Sequence, residues 1–477
     1  MRNKKIFKHL LVLLVLLITS QCALPFLGRK TENKKVPESY NTSKDTTNSA
    51  KIKWKDFFND QNLISLIDTA LKNNQELNIV LQEINISKNE IRARKGSYLP
   101  FVGAITGAGV DKVGRHTSQG ASDAITTIAP NKATPEVLPN YFIGLTASWE
   151  IDIWKKLRNS KKAAVYKYLS TFEGKNFMVT NLVAEIADSY YELIALDNQL
   201  QILKQNIDIQ QNALDIVKLE KQAARVTELA VRRFEAEVLK NKSRQFYILQ
   251  QITETENKIN FLIGRFPQTI TRNSVDFIEM KIDTINTGIP SQLLFNRPDI
   301  KQAEQDLIAS KLDVKAAKAN FYPSLFINAG LGYQAFNPQF LFSTPESIIF
   351  SLAGNLVAPL INRNAIKAMY YSANSKQIQA VYNYERSILK AHIEVANQIS
   401  NISNLKKSYD LKAKQVQTLA ESIDISTTLF KSARADYMEV LLVQRDAVEA
   451  KFELIETKVQ QIKSRVNLYK SLGGGWR

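Results

Sequence analysis

Apolar residues recur at three- and four-residue spacing between residues 61 and 97, at Leu63, Leu66, Ile67, Leu71, Leu77, Leu81, Ile84 and Ile91. This spacing puts them on one face of a helix. Pro100 ends the pattern, because a residue that precedes proline is pushed out of helical backbone. From Phe101 the period falls to two. Val102, Ala104, Thr106 and Ala108 alternate with Gly103, Gly107 and Gly109, and after a Ser/Thr/Pro-rich loop from about 112 to 139, Leu145, Ala147, Trp149 and Ile151 share a face. Two such segments around a loop predict a β-hairpin. Helical spacing then returns at Ile186, Tyr190, Leu193, Leu196, Leu200, Leu203 and Ile207, the seam of a coiled coil. A helix from about 155 to 218 would be roughly 95 Å long at 1.5 Å per residue. A break is expected at Ala223-Ala224-Arg225-Val226-Thr227, with Thr227 suited to cap a returning helix that ends at Gly264.

The same order then repeats. Leu71, Asn74, Glu76, Leu77, Ser87, Lys88 and Pro100 correspond to Leu294, Arg297, Asp299, Ile300, Ser310, Lys311 and Pro323, each pair 223 residues apart. A helix over 298–320 leads to a strand carrying Leu325, Ile327, Ala329, Leu331 and Tyr333, and Ile349 to Val357 form its partner. From Leu360 to Leu472 there is neither Gly nor Pro in 113 residues, which only long helices fill, with a reversal near Ser432-Ala433-Arg434-Ala435-Asp436. The fold class is therefore mainly α with a small β part, built as two internal repeats. The repeats are expected at 51–270, with strands about 101–112 and 141–152, and at 271–477, with strands about 324–334 and 347–358.

The chain opens with Arg2, Lys4, Lys5 and Lys8 ahead of a nine-residue apolar core, Leu10 to Ile18, too short to span a bilayer. Residues 1–21 thus read as an export signal. Thr19-Ser20-Gln21-Cys22 follows and resembles the lipobox of bacterial lipoproteins, with Gln21 where Gly or Ala is usual. Cys22 is the only cysteine, so it forms no intramolecular disulfide, and it stands where acylation requires it. An ordinary signal peptide with a chance cysteine is the alternative. Residues 22–50 are mostly polar and read as a lipidated tether. Removing residues 1–21 takes away four positive charges, so +17 becomes +13. The Lys residues scatter over helical faces without interleaved aromatics, so a nucleic-acid partner is not expected, and attraction to lipid head groups is the alternative use of the charge.

Strands of about ten residues match the length that crosses a bilayer in a barrel. Four strands do not close a useful barrel, because small barrels have about eight. Either the two hairpins stay in water against the helices, or they enter a membrane as part of a sheet closed by other copies. No nucleophile elbow, phosphate loop or zinc-ligand spacing occurs, and His9, His116 and His392 stand apart, so neither an enzyme nor a cofactor or metal site is expected.

Several motifs resemble a known family. They are Ala70-Leu71-x-x-Asn74, Trp149-Glu150-Ile151-Asp152-Ile153-Trp154, Arg297-Pro298-Asp299-Ile300-x-x-Ala303-Glu304, Phe321-Tyr322-Pro323-Ser324 and Leu472-Gly473-Gly474-Gly475-Trp476. Together they resemble the TolC-like outer-membrane efflux factors, and best the OprM-like lipoprotein branch, the outer-membrane component of RND-type systems. The resemblance covers about 51 to 476. It implies a homotrimer in which three chains each give four strands to a 12-stranded outer-membrane barrel, with the helices in a periplasmic α-barrel. It implies a periplasmic adaptor and an inner-membrane RND-type pump as partners, and small toxic compounds (drugs or cations) as cargo. At each helical reversal the family carries a Gly-containing motif. Here both glycines are replaced, by Ala224 and Ala433, which is expected to stiffen the reversals. The resemblance places Glu439 at a carboxylate position near the pore, so three copies would form an acidic ring. Asp436, Thr227 and Glu228 complete the expected reversal site; in the simpler reading Glu439 is a solvated helix residue and Asp436 an N-cap. No Met, His or Cys cluster lines either reversal to support metal cargo. A periplasmic scaffold or adaptor without a pore, and an exit duct for secreted protein, are the competing functions.

Overall fold

The computed structural model describes residues 25–28, 30–40, 46–129, 132–275, 277–282, 284–432 and 434–477. The expected export signal and Cys22 lie outside the described residues, as does Ala433. The elements used below are α1 (Trp54–Phe57), α2 (Gln61–Asn73), α3 (Gln75–Tyr98), β1 (Phe101–Lys112), α4 (Ser118–Ile125), β2 (Thr127–Ala129), β3 (Lys132–Ala133), β4 (Val137–Ile151), α5 (Lys156–Gln222) and α6 (Glu228–Leu262) in the first repeat. The second repeat gives α7 (Leu293–Asn296), α8 (Pro298–Ala319), β5 (Ser324–Ala335), β6 (Ile348–Val357), α9 (Asn364–Lys431) and α10 (Tyr437–Ser471). The helix expected over 61–97 is two helices. Asn74 breaks it and caps the second, accepting from Leu77 N at 2.8 Å. The expected loop at 112–139 holds α4 and the small β2–β3 ladder.

The chain divides into two compact units, and each takes residues from both repeats. One unit contains Asn85–Leu169 and Gln305–Val381 with the described residues up to Thr31. Its centre is a four-stranded antiparallel sheet in the order β1-β4-β5-β6, so the hairpins of the two repeats are joined through β4 and β5. The register runs unbroken across the sheet. Val102 faces Ala147, Ala147 faces Ala329 and Ala329 faces Leu352; Ala104, Leu145, Leu331 and Phe350 form the next row. Residues directly opposite in antiparallel strands share a face. One face therefore collects the apolar alternation of all four strands, and the other is mixed, with Thr146, Ser148, Asn328, Gln334, Ser351 and Asn355 among Ile105, Phe142, Phe326 and Ile349. Gly107 is required on that second face, because a Cβ there would lie 2.4 Å from the Phe142 ring.

Strand-to-helix junctions are held by indole donors. Trp149 Nε1 donates to Tyr98 O at 3.2 Å. Trp154 Nε1 donates to Pro323 O at 2.8 Å, and its ring stacks on Tyr322 at 4.7 Å. The buried Asp152 carboxylate then caps α5, accepting from Leu157 N at 3.0 Å and Arg158 N at 2.8 Å.

The second unit contains Glu32–Ile84, Ser170–Glu304 and Tyr382–Arg477. Its core packs Leu63 and Ile67 of α2 against Ile186, Tyr190, Leu193 and Ile194 of α5, Ile259 of α6 and Ile455 and Ile462 of α10. The expected α5 seam is thus found in the interior. The repeat is explicit in how the long helices end. Asn74 Nδ2 donates to Leu262 O at 2.8 Å, and its counterpart Arg297 donates from Nη1 to Ser471 O at 3.0 Å. Gly264 (φ 71°) and Gly473 (φ 93°) follow, and a Cβ on either would lie 2.5 Å from Asn73 O or 2.6 Å from Asn296 O. Each copy therefore closes its second long helix on the helix break that Asn74 or Arg297 marks. Arg297 is buried, and pairs with Asp299 at 2.6 Å and Glu394 at 2.6 Å, which keeps the guanidinium charged despite burial.

Residues 32–40 and 46–50, expected within a free tether, are bonded to this unit. Asn33 N donates to Glu385 Oε1 at 3.0 Å, Lys34 Nζ meets Glu304 Oε1 at 2.7 Å, and Tyr40 stacks on His392 at 5.4 Å. Ser49 N donates to Asn286 O at 2.9 Å. The polar composition that reads as disordered serves here to satisfy carboxylates of α8 and α9 and a carbonyl of the inter-repeat linker.

Candidate functional site at the helical reversals

The first reversal joins α5 to α6. Ala224 N donates to Lys221 O at 2.9 Å and Arg225 N to Glu220 O at 2.9 Å, the paired bonds of a Schellman motif. Ala224 sits at φ 53°, in left-handed backbone that costs an L-residue about 1–2 kcal/mol. Thr227 occupies the N-cap position with extended backbone (φ −85°, ψ 160°), but its hydroxyl makes no capping bond. Glu228 is paired with Lys221 and with Arg232 Nε at 2.9 Å. These partners, the Lys221 hydrogen bond first, hold its carboxyl below the ordinary range.

The second reversal joins α9 to α10. Arg434 N donates to Leu429 O at 2.9 Å, and Asp436 takes the N-cap position (φ −80°, ψ 150°), again without a side-chain bond. Glu439 is exposed on the first turn of α10, where a carboxylate suits the positive helix end. Under the 209-residue offset between the reversals its counterpart is Ala230, which is fully buried. The two repeats have thus diverged at this position into a core residue and an exposed acid.

The reversals meet through an apolar cluster of Leu214, Val217, Ala230, Phe234, Val238 and Leu441. Phe234 and Tyr437 lie 6.2 Å apart, and Arg233 Nη1 donates to Met438 Sδ at 2.9 Å. A groove of about 630 Å³ opens beside the cluster, with Thr227 and Asp436 on its walls together with Arg225, Lys431, Tyr437 and Gln444. Glu228 and Glu439 do not line it. Two of the four residues expected from the sequence, Thr227 and Asp436, thus line the groove and two do not. Gln444 lines it too without a local sequence signal, because its buried position on α10 is set by packing between helices distant in sequence.

No helix among the described residues is long and apolar enough to cross a membrane. The sheet offers the other route. On its apolar face Phe350 and Leu352 are 82% and 78% exposed, and β1 and β6 have no strand partner on their outer edges among the described residues.

The family model described as "Outer membrane efflux protein" matches residues 66–265 and 289–474. The chain is 26% identical over 429 residues to the solvent efflux pump outer membrane protein SrpC of Pseudomonas putida, covering 89% of this chain and 87% of that protein. It is 25% identical over 427 residues to the cation efflux system protein CusC of Escherichia coli O6:H1, covering 89% and 88%. Among solved structures, the open state of the MtrE outer membrane channel of Neisseria gonorrhoeae superposes with a TM-score of 0.82 at 21% identity, covering 95% of this chain and 99% of that one.

Proposed function

The chain belongs to the outer membrane efflux protein family, and from that premise we propose that it is the outer-membrane exit duct of a tripartite efflux system, moving small toxic compounds passively outward. The observation that carries this reading is the sheet. A four-stranded sheet with one apolar face and two unpaired edges is not tolerated in lipid unless it closes. Three copies joined edge to edge close it with twelve strands, and the face that carries Thr146, Ser148, Asn328, Ser351 and Asn355 then lines the lumen.

A homotrimer of this kind needs a periplasmic adaptor and an inner-membrane RND-type pump to deliver cargo to its helical end. The helices stand on the periplasmic side because their charged surfaces and the reversal groove belong in water. Relatives named for solvent and for cation efflux share the architecture, so cargo is selected elsewhere and the duct is permissive. A duct binds and releases without chemistry, so no catalytic residue is assigned.

At the reversals, Glu439 supplies an acidic ring in the trimer and Asp436, Thr227 and Glu228 shape its surroundings. What supports this is that Glu439 is exposed and lies at a helix N-terminus, with no ion pair to another described residue, whereas Glu228 is taken up by Lys221 and Arg232. Acylation at Cys22 would add a lipid anchor; a mass increment of acyl chains on the N-terminal peptide of membrane-extracted protein tests it, and an unmodified or absent Cys22 refutes it.

The duct is tested by conductance of the purified protein in planar bilayers, with Glu439→Ala beside it. Stable conductance that rises or loses cation preference in the variant is the expected result. Conductance unchanged by the substitution removes the acidic ring. No conductance from folded, inserted protein, even after conditions that open sealed ducts, returns the chain to the scaffold reading.

A further inference from the structure

Two apolar clusters hold the reversal-side half of the long helices together. One is anchored by Leu203, Ile207, Ile248 and Val448, and the other, nearer the reversals, by Leu214, Val217, Val238 and Leu441. In each of three helices a buried amide stands between them. Gln210 lies between Ile207 and Leu214 on α5, Asn241 between Val238 and Ile248 on α6, and Gln444 between Leu441 and Val448 on α10. Asn206 of α5 joins the layer, and all four side chains are more than nine-tenths buried.

Asn241 Nδ2 donates to Gln210 Oε1 at 2.7 Å and to Asn206 Oδ1 at 3.5 Å. The remaining groups are mismatched. Gln210 Nε2, a donor, and Gln444 Oε1, an acceptor, have no hydrogen-bond partner among the described residues. Gln444 also faces the reversal groove. The positions equivalent to Gln210 and Asn241 in the second hairpin are Leu419 and Ala450, so the layer is not a general property of the repeat.

We propose that this amide layer is the hinge plane of the duct's periplasmic end, the level at which the reversal-side segments move as one body. This deepens the channel reading and rests on it. Parting an apolar layer exposes hydrocarbon to water, whereas parting an amide layer exposes groups that water satisfies. A buried donor and acceptor without partners gain hydrogen bonds when the layer opens. On the reversal side, the Leu214–Val217–Val238–Leu441 cluster ties α5, α6 and α10 together, which makes that end a single moving body. A buried polar layer in a coiled coil also fixes register, so the segments return to the same closed packing.

The test uses the full chain in lipid nanodiscs, comparing wild type with the Gln210→Leu/Asn241→Leu double variant by hydrogen exchange and bilayer recording. Amide exchange in 211–240 and 437–443 is expected to slow at least tenfold relative to 180–200, and open probability to fall at least tenfold. Should the double variant fail to assemble, Gln444→Met alone carries the same expectation. Exchange in those segments that is unchanged against 180–200 overturns the hinge. A wild type that never conducts while its double variant still shows slowed exchange discards the duct and leaves only a plane of motion in the helices, whereas a conducting wild type with unchanged exchange in the variant discards the hinge alone.

Discussion

Ala224 is a residue at which sequence and backbone disagree. A Schellman motif needs left-handed backbone at this position, and glycine supplies it without strain. Alanine at φ 53° adopts it against its preference. Ala224→Gly is therefore expected to stabilise the first reversal by about 1 kcal/mol, after glycine's greater unfolded-state entropy is subtracted. Slower local amide exchange over 219–230 would register it, and faster exchange would refute it. Asp188 of α5 is the second residue under tension. Burial pushes its carboxyl up to about 6, against the opposing pull of Lys463. A carboxyl raised in the fold binds its proton more tightly folded than unfolded. Its contribution is thus fully present below about pH 4 and is lost as pH rises through about 6. A rise of that size corresponds to a loss of at most about 3 kcal/mol. Asp188→Asn should raise the Tm at pH 7 and flatten its dependence between pH 4 and 6; a flat profile in wild type would contradict the assignment. Single residues were legible in the sequence where they punctuate a pattern, as at Pro100, Gly264 and Gly473. Asp188 was not, because its burial is decided by α10, nearly three hundred residues later.

At the scale of elements, period two against period three and four sufficed to place the four strands and the long helices. The break at Asn74 escaped, since apolar spacing continues across it and the reason for the break is the Leu262 carbonyl that Asn74 caps. The α4 helix escaped too, its only local mark being Thr117, whose hydroxyl accepts from Gly120 N at 3.1 Å. The register makes a sharper claim than element positions do. Leu352 and Ser351 are neighbours on β6 but occupy opposite faces. Leu352→Lys should therefore cost about 2–4 kcal/mol per chain near the bilayer midplane and prevent assembly in the outer membrane, whereas Ser351→Lys should be tolerated. Heat-modifiable trimer bands in membrane fractions discriminate the two. Equal loss in both variants would mean that the faces are assigned wrongly.

Across the whole molecule, the repeat made the architecture legible because both copies must satisfy the same physical demand. Each long helical hairpin has to end against a helix break in its own repeat, and Asn74 and Arg297 meet that demand with different chemistry. What stayed hidden was long-range polar pairing. Residues of the expected tether bind Glu304, Glu385 and His392, partners that no local pattern reveals. The unpaired outer edges of β1 and β6 have a genetic corollary. If a ring closes only when every seam is sound, a chain with one ruined edge does not merely fail; it spoils its companions. With equal synthesis of sound and damaged chains and random mixing, about one ring in eight escapes, by threefold closure alone. Edge mutations in this protein should accordingly be dominant, and the sensitivity of a cell carrying both alleles should resemble that of a cell lacking the duct.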